Sequence, residues 1–122
     1  MTKRILVVDD NPVSRELIRE VLDFPDLEII EAADGGEAFQ KISTEMPDLV
    51  LLDIRMPVQN GFDVLRLIRQ DPRFNRILIL AFTAFAMRED RQKALDAGFD
   101  GYVTKPINAA DLRKQIESLL FL

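Results

Sequence analysis

The chain has no histidine and no cysteine in its 122 residues. That removes the usual general base, the thiol nucleophile and the commonest structural zinc ligands, so carboxylates, hydroxyls and lysines must carry any chemistry. Five such residues stand in comparable places. Asp9 and Asp10 follow the apolar run Ile5-Leu6-Val7-Val8, Asp53 ends Leu49-Val50-Leu51-Leu52, and Thr83 and Lys105 end the runs that begin at Ile77 and Gly101. Singly, each has an ordinary explanation: an Asp after a strand as a turn or cap residue, a Thr as a good β-former, a Lys as a solvated charge. Together they are harder to explain. Two unit charges about 4 Å apart repel by about 4 kcal/mol at an effective dielectric of 20, so three converging carboxylates require a cation. Oxygen donors without histidine or cysteine indicate a hard metal. A site with few carboxylates, leaving room for waters and phosphate oxygens, suits Mg2+ better than a dedicated calcium cage.

Whether these residues meet depends on the elements that carry them. Short apolar runs rich in β-branched residues alternate with stretches of helical period. Strands are expected at Ile5 to Asp9, Leu27 to Ala32, Asp48 to Asp53, Ile77 to Thr83 and Gly101 to Lys105. Several are apolar at successive positions, as strands covered on both faces are. Asn11 and Pro12 suit the N-cap and first residue of a helix with an apolar stripe of Leu17, Ile18, Val21 and Leu22, ending near Phe24-Pro25. Asp34 and Glu37 have capping-box spacing ahead of a second helix, with Ala38, Ile42 and Met46 on one face and a stop before Pro47. Asn60-Gly61 opens a third, carrying Val64, Leu65 and Ile68 and closed by Asp71-Pro72, and Asn108 opens a fifth, carrying Leu112, Ile116, Leu119 and Leu120. The fourth, about Arg88 to Ala97 with Gly98 as its C′ residue, has Leu95 as its only large aliphatic side chain and is expected to be the least stable.

Strands alternating with helices in this way specify a (βα)5 chain of the α/β class. Right-handed crossovers place helices on both faces of a doubly wound, five-stranded parallel sheet, giving a three-layer sandwich. Open sheets of this kind bind ligands at the carboxyl ends of their strands, where Asp9, Asp10, Asp53, Thr83 and Lys105 stand. Residues 1–122 are expected to form one domain, without linker or low-complexity segment and without an output domain. Sixteen basic against 21 acidic residues give a net charge of −5, which disfavours binding driven by counterion release. Neither direct nucleic-acid contact nor membrane insertion is therefore expected. Asp9 interrupts the first apolar run before it could serve as a signal h-region, and a cytoplasmic location is expected.

In these residues the sequence closely resembles the receiver domain of two-component response regulators. The resemblance is carried by Ile5-Leu6-Val7-Val8-Asp9-Asp10-Asn11, Asp53-Ile54-Arg55-Met56-Pro57, Asn60-Gly61, Thr83-Ala84, Tyr102 and Lys105-Pro106, and it covers essentially the whole chain. It implies a CheY-like, flavodoxin-like sheet of strand order 2-1-3-4-5, with Asp9, Asp10 and Asp53 at the topological switch point. It further implies that Asp53 accepts a phosphoryl group from the phosphohistidine of a histidine kinase or histidine phosphotransfer protein. Asp10 and Asp53 would ligate Mg2+ directly, Asp9 mainly through a water, and Arg55 through its backbone carbonyl. Lys105 would help to neutralise the transferring oxygens, its ammonium aimed by a cis Lys105-Pro106 bond that sequence alone would not predict, since about 5–6% of X-Pro bonds are cis. Thr83 would sense the phosphoryl group and Tyr102 would turn inward, reshaping a face of the fourth helix, fifth strand and fifth helix for a downstream protein target. Arg55 and Phe85 occupy places that in this family influence how water reaches the acyl phosphate. Neither is an acid or amide able to orient an attacking water, which implies slow self-dephosphorylation. The chain so read is a signalling phosphoacceptor that assists its own Mg2+-dependent phosphorylation, not an enzyme acting on a separate substrate.

Other classes make different demands on the same residues. A haloacid-dehalogenase-type phosphatase needs a second Asp two residues beyond its nucleophile, where this chain has Arg55. A flavodoxin-like flavin carrier needs hydroxyls and amides after the first strand, where Asp9-Asp10 would repel a phosphate. A phosphorylation-independent interaction module of the same fold would not need the acidic set. A receiver excised from a longer regulator or hybrid kinase would present the same residues.

Overall fold

The computed structural model describes residues 2–56, 60–83 and 88–121, with residues 88–90 described through their backbone alone. In chain order the elements are β1 (Lys3–Val8), α1 (Pro12–Val21), β2 (Leu27–Ala32), α2 (Gly35–Glu45), β3 (Leu49–Asp53), α3 (Gly61–Arg69), a 3-10 turn (Pro72–Phe74), β4 (Leu78–Thr83), α4 (Arg88–Ala97), β5 (Gly101–Thr104) and α5 (Ala109–Leu120). The strands form one parallel sheet in the order β2-β1-β3-β4-β5.

The continuous apolar runs divide by strand alternation between two cores. Leu6, Val8, Val50, Leu52, Ile79 and Ala81 pack with Ala38, Ile42, Val64, Leu65, Ile68 and Ala94 on the α2, α3 and α4 side. Ile5, Val7, Leu49, Leu51, Leu80 and Phe82 pack with Ile18, Leu22, Leu112 and Ile116 on the α1 and α5 side. Short polar side chains start the helices as their sequences suggest. Asn11, Asp34, Asn60 and Asn108 accept hydrogen bonds from the amides of Val13, Glu37, Asp63 and Asp111.

Several expectations are corrected. The first helix stops at Val21, short of Phe24-Pro25, and Leu17 on its expected stripe is exposed. Met46 does not continue the buried face of α2. It is a left-handed cap at φ 46° and is exposed, because Pro47 disfavours right-handed helix at the residue before it. On α5, Leu119 is exposed, while Leu112 and Ile116 carry the packing. Helix α4 meets the core through the fully buried Ala94, whereas Leu95 is 40% exposed. Among the described side chains of α4, then, a methyl group meets the core and the one large aliphatic side chain is largely turned away from it.

Candidate functional site

The register of the sheet brings the polar strand ends side by side. Val8 pairs with Leu52, so Asp9, one residue beyond β1, lies level with Asp53, while Asp53 pairs with Phe82 and Thr83 with Thr104, so Thr83 stands one residue further along and Lys105 one beyond that. The ladder carries on past the strand ends: the Asp9 amide donates to the Ala32 carbonyl at 3.1 Å and the Lys105 amide to the Thr83 carbonyl at 2.8 Å. Among the described residues, the buried polar or charged side chains are Asp9 at 0%, Asp53 at 4% and Thr83 at 2% exposure. Burying charge is unfavourable without partners, and these residues are concentrated at one edge of the sheet.

Each carboxylate divides its oxygens the same way. Asp9 Oδ1 accepts from the Asn11 amide and Asp53 Oδ1 from the Arg55 amide, both at 2.9 Å, closing the short turns that leave β1 and β3. The other oxygens face Lys105, whose Nζ donates to Asp9 Oδ2 at 2.9 Å and to Asp53 Oδ2 at 3.3 Å. The same ammonium lies 4.7 Å from the centroid of the Phe82 ring, a favourable cation–π position. The Lys105-Pro106 peptide bond is cis.

Burial pushes the Asp53 carboxyl from 3.8 up to about 6, and the Asp9 charge adds to the rise, while the Arg55 amide and Lys105 pull it back. Asp53 is thus mainly ionised at neutral pH. Burial opposes the charge on Lys105, but the hydrogen bond to Asp9 and the charges of Asp53 and Asp9 outweigh it and raise its pKa.

Asp10 is exposed at the mouth of the crevice. Asp9, Asp10 and Asp53 each offer one carboxylate oxygen, all within 4.8 Å of one another. With Lys105 these groups leave two net negative charges, which one divalent cation would balance. An all-oxygen donor set of this size fits a hard ion such as Mg2+.

Of the other residues singled out by sequence, Arg55 is exposed and touches Asp53 through its amide. Tyr102 lies opposite Ala81 on β5, half-buried against the α2, α3 and α4 core, two residues back along the pairing from Thr83. Phe85 lies outside the described residues, as do Pro57 and Ala84.

Gly61 was legible only as a helix opener, yet its position is set by the site. A Cβ there would lie 2.7 Å from the Asp53 carbonyl oxygen and 2.8 Å from the Ile54 Cα, and the Gly61 amide donates to the Ile54 carbonyl at 2.8 Å. The start of α3 is seated against the backbone that carries Asp53, and only glycine fits.

The model of the response regulator receiver domain family matches residues 5–117. The polar-differentiation response regulator DivK of Brucella abortus is 32% identical over 120 residues, 98% of each chain. Among solved structures, chemotaxis protein CheY4 of Vibrio cholerae superposes with a TM-score of 0.89 at 29% identity, covering 98% of this chain and 100% of its own. The signal receiver domain of a signal transduction histidine kinase from Syntrophus aciditrophicus gives 0.86 at 27%, covering 98% and 90%.

Proposed function

The chain belongs to the response regulator receiver domain family, and on that premise we propose that it accepts a phosphoryl group on Asp53 from a phosphohistidine of a histidine kinase or phosphotransfer protein. The observation that carries this reading is the buried Asp53 carboxylate held beside Asp9 and within reach of the Lys105 ammonium. In the transfer, an Asp53 oxygen attacks phosphorus, the P–N bond breaks, and the imidazole leaves with the electron pair. The protein's part is to position and to neutralise. Two fixed turns orient the Asp53 and Asp9 carboxylates, and Lys105 supplies positive charge next to the attacking group. Asp10, Asp53, Asp9 and the Arg55 carbonyl would hold Mg2+, which when bound neutralises charge on the transferring oxygens.

The signal would then pass from Thr83 to Tyr102. Inverting a 1:99 equilibrium takes about 5.5 kcal/mol, and charge-assisted hydrogen bonds contribute roughly 1.5–3 kcal/mol each, so about two to four new contacts suffice. The shallow seat of α4 through Ala94 supports a movable α4, β5 and α5 face that a downstream protein reads. Arg55 and Phe85, neither able to orient a water, go with a long-lived acyl phosphate. A cytoplasmic setting goes with the same reading.

Phosphoramidate, whose P–N bond resembles that of phosphohistidine, provides the test. With Mg2+, phosphorus NMR should show an acyl phosphate that is lost in Asp53→Asn and in excess EDTA. An acyl phosphate retained in Asp53→Asn would overturn the assignment.

A further inference from the structure

The acidic turn after β1 is held by a side chain that touches none of its carboxylates. Arg15, in the first turns of α1, donates from Nη1 to the Asp9 backbone carbonyl at 2.6 Å and from Nε to Glu31 Oε1 at 3.0 Å. Glu31 lies on β2, and Arg19 holds its other oxygen at 2.7 Å. The hydrogen bond from Arg19 leads in keeping the Glu31 carboxyl below its ordinary range, against the effect of burial, so Glu31 is a dependable anion for both arginines. The Lys41 ammonium donates to the Glu31 carbonyl as well.

The Asp9 carbonyl and the Asp10 amide belong to one planar peptide unit. Gripping that oxygen fixes the plane and with it the positions of the Asp10 amide and Cα, from which only rotations about the N–Cα bond and within the side chain are left to aim the carboxylate. Asp10 is exposed and at the open side of the cluster, so its approach to Asp9 and Asp53 depends on the turn. Resting on the proposed function, we infer that Arg15, clamped by Glu31, is a positioning residue that presets Asp10 for the divalent cation.

Geometry and charge predict opposite signs, which makes the inference testable. Arg15→Gln removes a positive charge near a cation site, which by Coulomb attraction alone would tighten Mg2+. Loss of positioning would weaken it. Lysine keeps the charge but cannot reach two acceptors from separate nitrogens as a guanidinium does. Calorimetric titration with MgCl2 should give a Kd raised about tenfold in both Arg15→Gln and Arg15→Lys, the range expected when groups behind metal ligands are removed. In the metal-free protein, amide exchange at Asp10 and Asn11 should quicken in the same variants. Arg4→Gln, which loses surface ion pairs with Glu28 and Glu45 at the start of β1, away from the acidic turn, controls for a general loss of stability and should stay within about twofold of wild type. A Kd that falls or holds in Arg15→Gln while the wild type binds Mg2+ would overturn the inference alone. A wild type that neither binds Mg2+ nor takes up phosphate would overturn the proposed function, and the inference with it.

Discussion

At Asp53, burial lifts the carboxyl to about 6 despite bonds from the Arg55 amide and Lys105. An acid whose folded pKa lies above its unfolded value binds its proton more tightly when folded, so the ionised form subtracts stability. The penalty is full above about pH 6 and disappears as the pH falls below 3.8. The gap corresponds to on the order of 3 kcal/mol. Asp53→Asn should therefore stabilise the metal-free protein by roughly 1–3 kcal/mol at pH 7, and urea titrations in EDTA should show the advantage shrinking toward pH 4. Equal stability of the two at pH 7 would contradict the burial argument. The chemistry-bearing residues were legible because their types are rare after apolar runs and recur at strand ends. The division of each carboxylate between its own turn and Lys105 was not, because it depends on pairings across 96 and 52 residues.

Two helices make opposite predictions at the scale of elements. The start of α3 is packed against the Asp53–Ile54 backbone with no room for a Cβ, so Gly61→Ala must displace one of them. Overpacking of that kind costs roughly 1–3 kcal/mol. It should also slow phosphorylation of Asp53, which thermal melts and acyl-phosphate yield would record together. Helix α4 lies at the other extreme, with Ala94 buried and Leu95 40% exposed. Its amides should exchange faster than those of α3 and α5, and Leu95→Ala should cost less than about 1 kcal/mol. Protection of α4 equal to that of α3 would remove the argument for a readily moved face. Caps and β-branched runs placed these elements within a few residues, since they are local signals. Which residue of α4 meets the core was not local: size pointed to Leu95, but the helix's orientation on the sheet decided for Ala94.

For the molecule as a whole, the parallel order β2-β1-β3-β4-β5 puts every candidate ligand at one edge, and among the described residues no helix is long and apolar enough to cross a membrane. The layered fold was readable from alternation alone, whereas the order of the strands needed the resemblance, because several orders satisfy the same alternation. A cation bound by Asp9, Asp10 and Asp53 would couple to global stability. At a hundredfold excess over its Kd, Mg2+ should stabilise the fold by about 2.7 kcal/mol relative to EDTA at matched ionic strength. Phosphorylation of Asp53 is tested most directly by incubation with acetyl phosphate and Mg2+ followed by intact mass of the wild type and of Asp53→Ala. One added phosphoryl group is expected on the wild type and none on the variant. A wild type that gains nothing, or a variant that gains as much, would contradict phosphorylation at Asp53.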